Sequence, residues 1–395
     1  MRTRSIGLSL LASAAIIVSA CGGATPAPSQ GVMSEAPATQ APGSAAPSAA
    51  PQSNLKIGVV TDVGTINDKN FNEYSYKGAQ DGATAIGVQG TVPYAVPKDA
   101  SEYAKLIQNF VDQKFDIIVT VGFALTAATE TAAKANPNIW FVGVDQGNDI
   151  CVDATGAVDT AKSPQCAGNA NIGTLLPHYI PMIYKEDQAG YLAGIIAASV
   201  SKSGNVGAIG GITLCGPCVK YIQGFELGAK SVSPNIKVTT TYITTSDFKK
   251  AFADQATGKA FGQQFILQTH VDVLFQVAGL TGNGILDAAC AAGIYGIGVD
   301  SDQWVAYPTD AKCILTSAEK HLQTSVAGEI QAIAAGTAKA GLATFDATND
   351  GIGYAPGHDL ASVWPSDPQS KIDAAVAAMK AGTLTTCPTN CGKAG

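Results

Sequence analysis

FDIIVTVG at residues 115–122 and VDVLFQVAG at residues 271–279 open two stretches that can be laid side by side. After the first comes a helix-like segment, Thr126 to Ala135, and then IWFVGVD at 139–145. After the second comes Ile285 to Ala292, and then IYGIGVD at 294–300. Each stretch reads as a buried strand, a glycine turn, a helix and a second buried strand ending in Val-Asp. Runs this apolar and β-branched suit strands covered on both faces, and hence a parallel sheet. The chain is therefore expected to hold two related α/β lobes. Its length agrees, because the roughly 340 residues after the N-terminal region exceed what one hydrophobic core usually holds.

A third strand, KIGVVTD at 56–62, also ends in a carboxylate. Open α/β sheets bind ligands outside the carboxyl ends of their strands. Asp62, Asp145 and Asp300 are thus expected at the mouth of one cleft. A single Asp after a strand reads as a helix N-cap; three at equivalent strand ends point to a ligand site. The segment after Asp62, VGTINDKNFNE, makes a turn through Gly64, Asn67 and Asp68 and then opens a helix from about Asn70 to Gly87. Phe71 on its first turn is either a core residue or a platform for something flat, with Asp68 and Asn72 beside it. Asp acceptors near an aromatic ring suit the N–H edge of a heterocycle, and paired carboxylate and ammonium groups suit sugar hydroxyls. Lys320, one strand beyond Asp300, is a candidate for that cation.

The N-terminus bears on the compartment. Arg2 and Arg4 precede an apolar run from Ile6 to Val18, the length of a signal peptide rather than of a membrane span. Val18-Ser19-Ala20-Cys21 resembles a bacterial lipobox, with cleavage before Cys21 and lipid on its new terminus. Residues 22–54 are almost all Gly, Ala, Pro, Ser and Thr, so they cannot bury a core and read as a linker. Some thirty such residues span on the order of 30 Å as a flexible coil. No later segment is apolar and long enough to cross a membrane. The formal net charge of −7 comes with no basic cluster, which argues against nucleic acid as a partner.

Besides Cys21 the chain has Cys151, Cys166, Cys215, Cys218, Cys290, Cys313, Cys387 and Cys391. They fall into sequence neighbours, 151/166, 215/218, 290/313 and 387/391. An oxidising compartment then suggests up to four local disulfides, although sequence does not fix connectivity. The pair 215/218 lies in LCGPCV, the tetrad associated with thioredoxins. A redox centre also needs a lowered thiol pKa and a docking surface, neither legible here. The expected role is a structural staple whose loss lowers stability and leaves binding intact, with a thiol-disulfide oxidoreductase as the alternative. Other enzyme readings find little. The four histidines are scattered, without a metal-binding spacing, so no metal or cofactor is expected. Residues 279–284, GLTGNG, have the wrong spacing for a dinucleotide fingerprint and lack the Lys-Ser/Thr of a phosphate loop. No serine sits in a nucleophile elbow.

Several motifs in order resemble the basic membrane protein family of ABC-transporter substrate-binding lipoproteins, the purine nucleoside receptor A-like group. The carriers are VTDVGTINDKNFNE, IWFVGVDQ, YKEDQAGYLAGIIAA, VGAIGG with GFELGAK, VLFQVAGLTGNG, GIGVDSDQ and LTSAEK. The resemblance implies a type I periplasmic-binding-protein fold, α/β, with two doubly wound parallel-sheet lobes joined by three crossings. The implied division is a signal peptide (1–20), lipidated Cys21 and linker (21–54), an N-terminal lobe (55–178 plus about 302–346), a C-terminal lobe (179–301 plus about 347–385) and a tail (386–395). It also implies a purine nucleoside ligand, its base between two aromatic rings, and delivery to a membrane permease driven by a cytoplasmic ATPase. By matching motif, Asp62, Asp145 and Asn72 would line the base site and Phe71 would be one ring. Asp300 and Lys320 would hold the ribose, with the Gly279 backbone nearby. Phe252 is the second ring by its place before Gly258-Lys259, and Phe248 is the alternative. A free purine base or a sugar is the other ligand class within this reading. The chain is expected to be a lipid-anchored monomer on the outer face of the membrane. The cysteines of TLCGPCVK depart from the family pattern.

Overall fold

The computed structural model describes residues 53–147, 151–159, 171–365 and 367–394. The leader, Cys21, most of the linker and Cys166 lie outside them. Two six-stranded sheets carry the fold. The first lobe begins with β1 (Ile57–Thr61), α1 (Phe71–Ala85), β2 (Tyr94–Ala95), α2 (Tyr103–Asp112) and β3 (Ile117–Val121). It continues through α3 (Thr126–Ala135), β4 (Trp140–Val144), α4 (Ile172–Leu175) and β5 (Tyr179–Tyr184). The second lobe holds α5 (Glu186–Val200), β6 (Asn205–Ile212), α6 (Gly216–Val232), β7 (Lys237–Thr244), α7 (Phe248–Phe252) and α8 (Gln255–Thr269). Then come β8 (Val273–Val277), α9 (Gly279–Ala291), β9 (Tyr295–Asp300), α10 (Gln303–Ala306) and β10 (Ile314–Lys320). The chain returns to the first lobe for α11 (Leu322–Ala334) and β11 (Ala343–Phe345), and ends in the second with β12 (Ile352–Tyr354) and α12 (Asp367–Lys380).

The strand orders are β11-β5-β4-β3-β1-β2 and β12-β10-β9-β8-β6-β7. Both sheets share one plan, in which the first strand pairs with the second on one side and the third on the other. Every pairing within them is parallel except β10 with β12. The repeat read from the sequence is therefore a repeat of fold. β1, β3 and β8 are buried along their whole length, as parallel strands covered by helices on both faces must be.

The chain crosses between lobes at three places, after Tyr184, after Lys320 and after Phe345. These crossings correct the expected boundaries. β5 pairs with β4 in the first sheet, so the first crossing follows Tyr184 rather than residue 178; β10 pairs with β9 in the second sheet, so the second follows Lys320 rather than residue 301. A strand adds to whichever sheet offers it an unpaired edge, and a local pattern carries no information about which sheet that is.

Glycines set how closely the helices approach. On α5 a Cβ at Gly190 would lie 2.1 Å from the Tyr221 carbonyl oxygen, and on α6 one at Gly224 would lie 2.0 Å from that of Asp187. The two helices therefore cross backbone against backbone, which fixes the start of each beside the crossing at Tyr184. A similar close approach, between α8 and α9, accompanies a second difference. GLTGNG is not a turn before a helix but the first turns of α9, where a Cβ at Gly284 would meet the Gln255 carbonyl oxygen at 2.0 Å.

Candidate functional site

Both sheets present the carboxyl ends of their strands to one cleft, where open α/β sheets hold small ligands. Asp62, Asp68, Phe71, Asn72 and Asp145 reach it from the first lobe; Phe252, Gly279, Asp300 and Lys320 reach it from the second. The cleft thus gathers every residue proposed as ligand-lining from the sequence. It also adds Phe123, Cys215, Pro217, Cys218 and Tyr221. The lobes touch across its mouth, where the Asn283 amide donates to the Asp68 carbonyl at 3.0 Å and Phe123 meets the edge of Phe252 at 6.5 Å between centroids.

Asp145 and Asp300 follow equivalent strands, and both adopt the left-handed backbone, at φ 57 and 63. Few side chains other than Gly, Asn and Asp accept that conformation. The strand thereby ends abruptly and the carboxylate turns over the sheet edge. In the first lobe Gln146 holds this turn, its amide donating to Thr120 Oγ1 at 3.0 Å. In the second, Gln303 Oε1 accepts from the Val299 amide at 3.1 Å.

Lys320 is 4 % exposed and sits where the chain crosses back to the first lobe. Its Nζ lies 2.5 Å from Asp145 Oδ2, 3.2 Å from Glu186 Oε1 and 3.9 Å from Asp300 Oδ1. The rings of Phe71 and Tyr184 each stand 5.3 Å from it. Three carboxylates facing one buried ammonium hold the lysine charged, well above its ordinary range. Asp300 also accepts from the Tyr221 hydroxyl at 3.1 Å. Lys320 is therefore an interlobe tie as much as a candidate ligand contact. Glu186, which the sequence reading did not single out, is its second partner and pairs behind the cleft with Lys220 at 3.3 Å. Attraction by Glu186 raises the pKa of Lys220, and despite burial the two lysines keep the Glu186 carboxyl below its ordinary value.

The other carboxyls are pushed up by burial. Asp62 rises to about 7, opposed by the Val63 amide that donates to it at 2.6 Å. Asp145 rises to about 7, where burial outweighs the pull of Lys320, and Asp300 to about 6. Buried acids of this kind, poorly matched by cations, are acceptors for hydrogen bonds that a ligand brings. Asp145 Oδ1 and Asn72 Oδ1 are both buried without a hydrogen-bond partner among the described residues. Gly122 must be glycine, because a Cβ there would lie 2.0 Å from Asp62 Oδ2.

Two expectations change. Asp68 borders the cleft, but its carboxylate accepts from the amides of Asn70, Asn72 and Glu73 at 2.9, 3.0 and 3.0 Å. It caps α1 and so positions Phe71 and Asn72, which leaves it little to offer a ligand. Of the two candidate rings, Phe252 borders the cleft, whereas Phe248 packs 5.8 Å from Phe123 and is not among the lining residues. Phe123 itself went unnoticed; an aromatic directly after the glycine at the end of a strand was the available signal.

The second change concerns the cysteines. Bonds join Cys215 to Cys218, Cys290 to Cys313 and Cys387 to Cys391, and Cys151 is also disulfide-bonded. Cys215–Cys218 is expected from the sequence to be a structural staple whose loss leaves binding intact, yet it forms part of the cleft wall. A turn at the strand end facing the other lobe cannot be told from a turn elsewhere until the lobes are in place.

No helix among the described residues is long and apolar enough to cross a membrane. The family model described as "ABC transporter substrate-binding protein PnrA-like" matches residues 55–380. A CD4+ T-cell-stimulating antigen of Listeria innocua is 27% identical over 314 residues, covering 77% of this chain and 74% of its own. The ABC transporter nucleoside-binding protein BmpA of Lactococcus lactis is 29% identical over 266 residues, 65% of this chain and 66% of its own. An uncharacterized lipoprotein of Pyrococcus horikoshii is 26% identical over 316 residues, 76% and 69%. In fold, an ABC transporter solute-binding protein from Aeropyrum pernix aligns with a TM-score of 0.68 at 19% identity, covering 84% of this chain and 92% of its own. Another from Conexibacter woesei gives 0.62 at 22%, covering 86% and 100%. With the family model spanning both lobes, the chain belongs to the PnrA-like family of ABC transporter substrate-binding proteins.

Proposed function

We propose that the protein captures a purine nucleoside outside the cell and delivers it to an ABC permease, tethered meanwhile by lipid on Cys21. The observation that carries this reading is the composition of the cleft. Aromatic rings from opposite lobes, Phe71 and Phe252, share it with carboxylates from opposite lobes, Asp62, Asp145 and Asp300. Flat rings suit the faces of a base, and the acceptors suit its N–H edge and the ribose hydroxyls. Lobe closure over the ligand would bury both. The first-lobe groups Asp62, Asn72 and Asp145 are assigned to the base, and Asp300 with Lys320 to the sugar. The nucleoside-binding name of the Lactococcus lactis relative supports the ligand class, and the lipoprotein name of the Pyrococcus horikoshii relative supports the anchor.

Charge argues for an uncharged ligand. A phosphorylated one would meet several buried carboxylates, and α1 and α6 begin at the cleft with N-termini already capped, by Asp68 and by Cys215. A free base or a sugar is the second reading, favoured by the number of acceptors. The oxidoreductase reading is disfavoured by access, since Cys215 is 3 % and Cys218 6 % exposed, which leaves no room for a protein disulfide to dock.

The test is a thermal-shift series on the purified protein, because a ligand that binds only the folded state raises the melting temperature with concentration. A rise with inosine, guanosine or adenosine and none with ribose or uridine is the expected result. A rise only with a sugar or a free base would keep the receptor and discard the nucleoside.

A further inference from the structure

We propose that the Cys215–Cys218 disulfide turn is itself a ligand-contacting, specificity-determining element: an apolar wall at the sugar end of the cleft. The inference rests on the reading of the cleft as a nucleoside site.

Topology is the first ground. In the first sheet the order β2-β1-β3 puts the switch point beside the end of β1, where Asp62 stands; in the second, β7-β6-β8 puts it beside the end of β6, where this turn stands. Ligands of open α/β sheets lie at that crevice. The turn therefore belongs to the second lobe's counterpart of the Asp62 loop, a few residues beyond the end of β6, with two bonded sulfurs in place of a strand-end carboxylate.

Placement and chemistry agree. Cys215, Pro217 and Cys218 line the cleft together with Tyr221, one helical turn on from Cys218, which donates to Asp300. The turn thus borders the side of the cleft assigned to the sugar. Its own polarity is spent internally, because Cys215 Sγ accepts the Cys218 amide at 3.1 Å and Pro217 has no N–H to offer. What faces the ligand is sulfur and pyrrolidine, suited to C–H surface and unsuited to a charged group.

The turn is also braced from behind. Gln223, on the next turns of α6, accepts the Gly392 amide at 2.9 Å from the tail, whose loop is closed by Cys387–Cys391. Lys220 ties the same helix to Glu186 at the crossing. A wall held this firmly costs a ligand little ordering on binding.

The experiment is titration calorimetry of the full chain with inosine, for wild type, C215S/C218S, C290S/C313S and P217E. Serine is a favoured N-cap, so the double variant keeps the start of α6 while losing the sulfur wall. P217E keeps the bond, and an acidic residue in a helix's first turn is well tolerated, so it serves if the double variant does not fold. Inosine affinity is expected to fall about tenfold in C215S/C218S, the order for losing a small apolar contact area, and at least as far in P217E. C290S/C313S, which removes a disulfide outside the cleft, should melt lower with unchanged affinity. Wild-type affinity in a folded C215S/C218S, or in P217E, would overturn the inference and leave the nucleoside reading standing. A wild type that binds no inosine would overturn the nucleoside reading, and this one with it.

Discussion

Asp300 offers a perturbation in which the backbone and the charge give opposite expectations for two replacements. Its φ of 63 places it in the left-handed region, and its carboxylate accepts from Tyr221 at 3.1 Å and lies 3.9 Å from Lys320. Asparagine tolerates that backbone and still presents an acceptor to Tyr221. Stability of Asp300→Asn should therefore stay within about 1 kcal/mol, since a buried carboxylate already pushed up to about 6 is exchanged for a neutral amide. Binding should respond more. A hydrogen bond from a ribose hydroxyl to a charged acceptor is worth roughly 1.5–3 kcal/mol and to a neutral one roughly 0.5–1.5. The difference weakens inosine binding about tenfold. Asp300→Ala loses the whole contact, about 100-fold in affinity. It also loses the polar side chain whose local hydrogen bonding makes the left-handed region tolerable to Asp, and it strands the Tyr221 hydroxyl at about 1–3 kcal/mol. Relief of the buried charge offsets part of this, leaving a net loss of about 1–3 kcal/mol. Urea unfolding and titration calorimetry on both variants check the two axes separately. An Asn variant that binds inosine like wild type would refute the sugar assignment, and an Ala variant as stable as wild type would refute the backbone argument.

Other outcomes follow from the same geometry. Burial raises Asp62 to about 7 and Asp300 to about 6, above the unfolded value of 3.8. Each thus contributes stability that is present below about 4 and lost as pH rises through 6 to 7, so the ligand-free protein should melt higher at pH 5.5 than at pH 8 through these groups. Nucleoside donors favour the ionised carboxylates, so inosine affinity should rise over the same interval with proton release; calorimetry in buffers of different ionisation enthalpy reads this, and a flat profile would count against it. Lys320→Met leaves Asp145 and Glu186 buried without their shared cation and should destabilise by about 3–5 kcal/mol in urea unfolding. Gly224→Ala drives a Cβ to 2.0 Å from the Asp187 carbonyl oxygen and should cost at least about 1–3 kcal/mol, whereas Gly328→Ala, on the exposed face of α11 with open space around it, should gain about 0.5–1 kcal/mol; equal melting temperatures for the two would contradict the packing account. Phe252→Ala should weaken inosine binding by about 1–3 kcal/mol, the worth of one stacked base, and Phe248→Ala by much less.

The two-lobe α/β architecture was written in the sequence because its signal is local. A strand covered on both faces must be apolar at consecutive positions, and FDIIVTVG and VDVLFQVAG satisfy that condition without reference to anything distant. The strand-end carboxylates were legible for the same reason. Asp62, Asp145 and Asp300 follow such runs directly, and the architecture sends those ends to a crevice. Asp68 was legible only in part: its position beside the cleft followed from the turn, but its bonding to three amides depended on how that turn closed.

Contacts between distant segments were decided only when the lobes came together. Which sheet β5 and β10 join depends on edge pairing between residues far apart in the chain. Lys320 is separated by 175 positions from Asp145, and nothing near either one records that they meet at 2.5 Å. Glu186, Phe123 and the bonded sulfurs of Cys215 and Cys218 became part of, or neighbours to, the cleft in the same way. The sequence by itself determined the elements and the chemistry at their ends, because each depends on a few neighbouring residues. The tertiary structure decided which of those ends share one low-dielectric space, and that sharing shifts the carboxyls, buries the lysine and turns a four-residue disulfide loop into a wall of the site.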